Sequence, residues 1–380
     1  MSKSKSNEIP LPIISNNVEN KKGIMTFTIS NTNVSVANAL RRTILSDIGV
    51  VCMKTSPYSE GLITFHSNTS RFNNEILKHR LSCIPVHLKQ YSEELKNLVV
   101  EIDEENTTDA VRYITSKDFK IKDITTDKYL EESFVNKVFP PDPITKNYIL
   151  FTRLKPKITS NIPGEKIHLE CKLSNSTAKV DGAFNVACTC SYGNTPDIVE
   201  QNNKWDAIEE DMVKRGVVKS KIEYERGNWF LHDAKRHFKD DSFDFMLESV
   251  GVYSNVELMR LACDSIIERN NKLYDLFNTE NILIKNNQVT IENSYDIVLE
   301  GIDYTIGKVL EYLLHDEYYK NQKLFSYVGF LKPHPHDTFS IIRIAFKDEK
   351  KSNVTNINEV FKHVLKMSNQ IFQNVNEYFK

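Results

Sequence analysis

The stretch VSVANALRRTILSDIG, Val34 to Gly49, has a partial echo near the other end of the chain in TIGKVL, Thr305 to Leu310. Laid over SVANAL, Ser35 to Leu40, the echo matches small, apolar and hydroxyl positions: Ser35 with Thr305, Val36 with Ile306, Ala37 with Gly307 and Leu40 with Leu310. Each copy follows a strand-like run, MTFTI from Met25 or YDIVL from Tyr295, and opens on a residue able to cap a helix, Asn33 or Asp303. Val36, Leu40 and Ile44 recur every four residues, Ala37 and Ile48 widen the stripe, and Gly49 stands where a helix would stop. One strand-helix unit is thus written twice. Past Leu40 the copies part, with Arg41 and Arg42 in the first where the second has Glu311 and Tyr312. Adjacent side chains on a helix point about 100° apart, so a core-facing helix must turn at least one of these cations away from its stripe. Two solvated arginines are the plain reading. The contrast with Glu311 and Tyr312 favours a contact with a partner.

Composition bounds the rest. With 380 residues, 40% hydrophobic and 26% charged, the chain is long enough for two or three domains with their own cores. A formal net charge of -2 argues against binding nucleic acid through bulk charge, so any contact with DNA is expected to be indirect. The N-terminus MSKSKSNEIPLPIISNN lacks the apolar core of a signal peptide, and no apolar run of the roughly 18 residues a membrane span needs occurs, so no membrane association is expected. The six cysteines are expected to be reduced thiols of an intracellular chain.

Taken in order, residues 1 to about 20 read as a mobile arm before the first strand and helix. From Val51 to about Asp240 the texture becomes β-rich, with LITFHS from Leu62, NLVVEI from Asn97, NYILF from Asn147 and KIHLECKL from Lys166 alternating between faces. Inside this module SRFNNEILKHRLSCIPV reads as a short helix ending before Pro85, and Phe139 to Pro143 as a rigid loop. The polar stretch from Asn194 to Asp240, with Trp205 and Trp229, carries no clear period. The chain then returns to a strand, SFDFMLESVG, and a long helix from Asn255 to Phe277, followed by an asparagine-rich linker from Asn278 to Gln288 and the second strand-helix unit. Two strands around the turn at His334-Pro335-His336 and a closing helix from Asn356 to Phe379 complete it. Four apolar helical stripes need mutual burial, as when two chains dimerise, and Leu40, Ile44, Met259, Ile266, Leu310, Leu313, Val364 and Phe372 are the expected interface.

No catalytic constellation is written in the chain: there is no Walker loop, no GxGxxG opening a helix, no GxSxG and no HExxH. Asp103-Glu104-Glu105 reads as a solvated loop. Cys188 and Cys190 share a strand face but lack the second pair a structural zinc site needs, and His334 with His336 reads as a turn, so no metal or other cofactor is expected. Lys78-His79-Arg80 forms a second small basic cluster.

The segments NVSVANALRRTILSDI and NTSRFNNEILKHRLSCIPVHL resemble the family of the third-largest subunit of eukaryotic RNA polymerase II, the archaeal D subunit and the amino-terminal domain of the bacterial alpha subunit. SFDFMLESVGVYSNVELMRLACDSIIERN is similar to that family's return strand and closing helix, and DYTIGKVLEYLL with VGFLKPHP looks like the eleventh subunit of polymerase II and the archaeal L subunit. The resemblance implies an α+β protein: an alpha-subunit-like dimerisation domain in two pieces, residues 1–50 and 241–285, a β-rich insert at 51–240, and a second dimerisation domain at 286–380 in the same chain, pairing with the first as an intramolecular pseudo-dimer. It further implies a noncatalytic assembly platform of a DNA-directed RNA polymerase, on which the second-largest and then the largest subunit dock, with small subunits resembling the tenth and twelfth nearby. In the family the first-helix arginines face the second-largest subunit, which carries over to Arg41 and Arg42, and the segment holding His79, Arg80 and Pro85 lies on the same side. The fusion looks like that of large nucleocytoplasmic DNA viruses, implying work in a host-cell cytoplasmic factory, the particle or the nucleus, and no homodimer. The chain departs from the family in having no cysteine between Ile84 and Glu170, where relatives often hold zinc or an iron-sulfur cluster. The competing reading is a dimerisation adaptor that keeps the fold and serves another partner.

Overall fold

The computed structural model describes residues 10–60, 62–89, 92–159, 162–287 and 291–380. The first part of the chain runs β1 (Ile13–Glu19), β2 (Ile24–Ser30), α1 (Val34–Ser46), β3 (Gly49–Cys52), β4 (Ile63–Asn68), α2 (Asn74–Ser82), β5 (Leu98–Glu105), β6 (Arg112–Thr115), β7 (Lys120–Asp123) and β8 (Lys128–Tyr129). It continues through α3 (Glu132–Val138), β9 (Leu150–Leu154), β10 (Lys166–Lys172), β11 (Ser174–Thr177), β12 (Ala187–Pro196), α4 (Ile198–Lys214), α5 (Lys219–Leu231), β13 (Phe238–Ser249) and α6 (Asn255–Asn278). The last part holds β14 (Leu283–Asn286), β15 (Ser294–Glu300), α7 (Tyr304–Leu314), β16 (Phe325–Leu331), β17 (Phe339–Phe346) and α8 (Val354–Tyr378). These elements form two compact units, one of Met1–Ile44, Thr189–Glu248 and Asn255–Lys380, the other of Leu45–Cys188 and Ser249–Ser254.

The first unit contains two four-stranded sheets, ordered β1-β2-β13-β12 and β14-β15-β17-β16. Strand alternation sends one face of each sheet inward. Met25, Phe27 and Ile29 of β2 lie opposite Leu247, Phe245 and Phe243 of β13, all buried, and the Phe27 and Phe245 rings stack with centroids 4.9 Å apart. In the second sheet Ile297 pairs with Ile342, both fully buried. Helix α7 is capped by Asp303, whose carboxylate accepts from the Thr305 amide at 3.0 Å, and it buries Ile306, Gly307, Val309, Leu310, Leu313 and Leu314. Gly307 is required by packing rather than by backbone angle: a β-carbon there would lie 2.0 Å from the Phe330 ring of β16.

The long helices α6 and α8 pack along each other. Asp264 meets Asn376, Asn270 meets Ser368 and Phe277 stacks on Phe361, so numbers rise on one helix as they fall on the other and the pair is antiparallel. The Asn270 amide donates to Ser368 Oγ at 2.9 Å and to Asn369 Oδ1 at 3.0 Å, and Asn369 donates to Asn271 Oδ1 at 2.8 Å. A polar pair within an apolar seam fixes register, because sliding by one turn leaves buried amides without partners.

The second unit is built on the sheet β4-β10-β5-β7-β8, with two short ribbons, β3 with β11 and β6 with β9. Ile167, Leu169 and Cys171 of β10 point into one core with Val100 and Ile102 of β5 and Leu77 and Leu81 of α2. Phe119 meets Phe139 and Phe151 edge to face.

Four expectations are corrected. The supposed arm contains β1, which pairs with β2, while residues 1–9 lie outside the described residues. The supposed linker contains β14, whose Leu283 to Asn286 pair with Val298 to Tyr295, and its Gln288 is outside the described residues. Asp103 to Glu105 belong to β5 rather than to a loop. The insert ends near residue 188, not 240: β12 is hydrogen-bonded to β13 in the first sheet, and the chain between them folds as the hairpin of α4 and α5. That hairpin closes on Trp205, 1% exposed, against Trp229 and Phe230, and is tied back by Gln201 donating to the carbonyls of Ala234 and His237.

Candidate partner-docking site and the helix seam

All eight positions expected at the interface are buried. Met259 and Ile266 lie on α6, and Val364 and Phe372 on α8, the helices that pair; Leu310 and Leu313 lie on α7, which packs against α8; Leu40 and Ile44 lie on α1. The arginine pair divides. Arg42 turns inward to the second strand-helix unit, its Nε donating to Thr305 Oγ1 at 2.9 Å and its Nη2 lying 3.5 Å from Asp303 Oδ2, while Arg269 of α6 reaches Asp303 Oδ1 at 3.6 Å. Asp303 therefore serves as helix cap and as acceptor for two guanidinium groups. On the other side Tyr312, the counterpart of Arg42, shares a small surface cleft with Asn33, the counterpart of Asp303. Each helix thus places its position after the repeated motif near the capping residue of the other, the reciprocal pattern of a two-fold contact.

Arg41 stays on its own helix, donating through Nε and Nη2 to Asn38 Oδ1 at 3.1 and 3.0 Å. Both arginines are half-buried; Arg41 is the one that hydrogen-bonds to its own helix, and its charge also reaches the buried Cys190.

The second basic cluster also divides. Lys78 is buried and pairs with Glu75 at 2.9 Å. Arg80 is turned inward, donating to the carbonyls of Phe151 at 2.5 Å and Leu150 at 2.8 Å, which fastens α2 to β9. Only His79 is exposed, with Pro85 half-buried nearby in sequence. The Nε and Nη2 of Arg80 are thus occupied by strand carbonyls within the insert.

Burial pushes the Cys52 thiol up to about 11 and those of Cys171 and Cys190 up to about 12, and raises that of Cys263 as well, so none of these four offers a thiolate at neutral pH. Cys188 is exposed although Cys190, two residues on, is buried. His334 and His336 sit in an exposed turn with ring centroids 5.1 Å apart, and His334 Nδ1 accepts from the His336 amide at 3.1 Å. Among the described residues neither set gathers a third ligand within reach. The described residues do bring together His66, His168 and Glu170, with ligand atoms all within 4.8 Å of one another, a set that strand pairing builds and no sequence spacing announces.

Two sheets, each with its own short helix, clasped by antiparallel long helices, define an α+β dimerisation module. Residues 26–269, well over half of the chain, match the RNA polymerase Rpb3/Rpb11 dimerisation domain, and the chain belongs to that family. It is similar to the "Conjugation stage-specific protein" of Tetrahymena thermophila, 26% identical over 192 residues, spanning 46% of this chain and 56% of that protein. It is similar to DNA-directed RNA polymerase II subunit rpb3 of Dictyostelium discoideum, 38% identical over 69 residues, 18% of this chain and 20% of that one. A longer match, 23% identical over 287 residues, joins it to DNA-directed RNA polymerases I and III subunit rpac1 of the same organism, covering 67% of this chain and 79% of that one. The chain thus spans little more than half of the first relative and a fifth of the second.

Proposed function

We propose that this chain is a noncatalytic assembly subunit of a multisubunit DNA-directed RNA polymerase that carries both halves of the family's dimer in one polypeptide. The observation that carries the reading is the antiparallel seam of α6 and α8 with its Asn270 to Ser368 register pair and the Arg42-Asp303-Arg269 clasp beside it. Such a seam belongs between subunits in a dimerising family; here both sides of it come from one chain, and family membership supports the pairing role. The second-largest and then the largest subunit would dock on this platform, with small subunits resembling the tenth and twelfth alongside and DNA reached only through the complex. Half-buried Arg41, hydrogen-bonded to Asn38 of its own helix, and exposed His79 are the side chains proposed to meet the second-largest subunit. Arg42 and Arg80, half-buried and bonded within the chain, are proposed to brace the platform beside them.

The fused arrangement supports a polymerase encoded by a large DNA virus and working in the host cytoplasm or packaged in the particle. That finer reading rests on the fusion alone, the relatives above being from cellular organisms. Affinity purification of the tagged chain from its native source is the test. Co-elution of two very large polymerase subunits is expected, and a chain recovered with other partners and neither of these is instead a dimerisation adaptor.

A further inference from the structure

We propose that the outer face of the insert sheet binds one divalent transition-metal ion, of which Zn²⁺ is the test case, through His66, His168 and Glu170. The residues come from two neighbouring strands. On β10, His168 and Glu170 are two apart and so share a face, opposite to that of Ile167, Leu169 and Cys171, which line the core. On β4 the pairing slips: His168 lies opposite Ser67 and Leu169 opposite Phe65, so His66 is the extra residue of a β-bulge. A bulge of this kind re-aims a side chain, and here the His66 ring comes to lie against that of His168, centroids 4.4 Å apart, with its Nε2 3.6 Å from Glu170 Oε1.

The two rings lie in contact, each beside a carboxylate, His66 near Glu170 and His168 near Glu101. Two imidazole nitrogens and one carboxylate oxygen are the donor set that suits Zn²⁺ and its neighbours rather than Ca²⁺ or Mg²⁺, and three protein ligands leave a position for water. A fourth group supports the ring: Glu101 of β5, its side chain 11% exposed, lies 3.3 Å from His168 Nε2. Glu101 is in turn held by the Tyr129 hydroxyl at 2.5 Å. A carboxylate bound to a ligating histidine fixes the ring and raises its basicity. The site is independent of the seam and of the docking role, and it draws on no cysteine.

The experiment uses the full chain stripped with a chelator and titrated with Zn²⁺ by calorimetry, with Co²⁺ absorption as a second readout. One ion per chain is expected. His66→Ala and, separately, Glu170→Gln should weaken binding by at least about tenfold and remove the Co²⁺ band, while Cys83→Ser/Cys188→Ser should leave both unchanged. The side chains of His66 and Glu170 are each 41% exposed, so these variants are expected to melt with the parent in the presence of chelator, and each serves as the check on the other. No uptake by the folded parent, uptake undiminished in both ligand variants, or uptake lost in the cysteine variant would each overturn the proposal.

Discussion

Arg41 and Arg42 are neighbours with different work, and substitution should separate them. Arg42→Glu sets a carboxylate beside Asp303, removing the bond to Thr305 and adding repulsion at the cap of α7. The side chain is 38% exposed, so a loss near 1 kcal/mol, a few degrees of melting temperature, is expected. Arg41→Glu gives up only a local bond to Asn38 and should change stability by no more than about 0.5 kcal/mol, yet it should reduce capture of the second-largest subunit in a pull-down. Undiminished capture by folded Arg41→Glu would make Arg41 plain surface charge. The sequence marked the pair as unusual because it broke the match with Glu311 and Tyr312. Which arginine faces which way was not legible, since it depends on the approach of a helix more than 260 residues away. A second residue-scale case is Asp296 of β15, bridged by Arg343 Nε at 2.6 Å and Nη2 at 2.8 Å. The Arg343 hydrogen bonds, opposed by burial, hold its carboxyl below the usual carboxylate range. A carboxyl depressed in the folded state stabilises above its unfolded pKa and ceases to do so as pH falls through the folded value. Asp296→Asn should therefore cost about 2 kcal/mol at pH 7 and progressively less in melting curves taken below about pH 4.

Among the elements, α7 offers the sharpest test. Gly307→Ala places a methyl group into the Phe330 ring, and overpacking of that kind costs about 1–3 kcal/mol against a gain in helix propensity of up to about 1. A lower melting temperature is expected. An unchanged or higher one would show that Phe330 has room to swing away. Strands β4, β5 and β10 and helices α1, α6 and α8 were legible because each carries an apolar stripe, run or alternation, whereas the NYILF stretch meets β9 only at Leu150 and Phe151. The α4 and α5 hairpin was not, for a physical reason: α4 buries only Gln201 and Trp205, and α5 only Ile222, too few positions to raise a period above the charged background. The misplaced end of the insert followed from this. With the hairpin unread, the pairing of β12 with β13 across it could not be seen, and the metal-binding set escaped notice because a bulge, not a spacing, creates it.

At the scale of the molecule, the paired-halves reading predicts that the chain can be cut. The break belongs between Asn278, the last residue of α6, and Leu283, the first of β14, because a cut at residue 285 would sever β14 from its sheet. Fragments 1–280 and 281–380, coexpressed, should elute as a one-to-one complex with the mass of the intact chain by light scattering. Two soluble monomers that ignore each other would sink the reading. Adding Arg42→Glu to the longer fragment should loosen the complex.

The turn between α6 and β14 spans only residues 279–282, and it makes the pairing of α6 with α8 intramolecular. A short tether holds its ends at an effective concentration on the order of millimolar. Association then becomes a first-order step whose extent does not depend on how much of the chain is made or how far it is diluted. Two separate subunits in the same fold would need matched synthesis, and each would display an apolar helix stripe to solvent while it waited. A chain joined in this way delivers its halves in fixed ratio, and neither meets the solvent as an orphan.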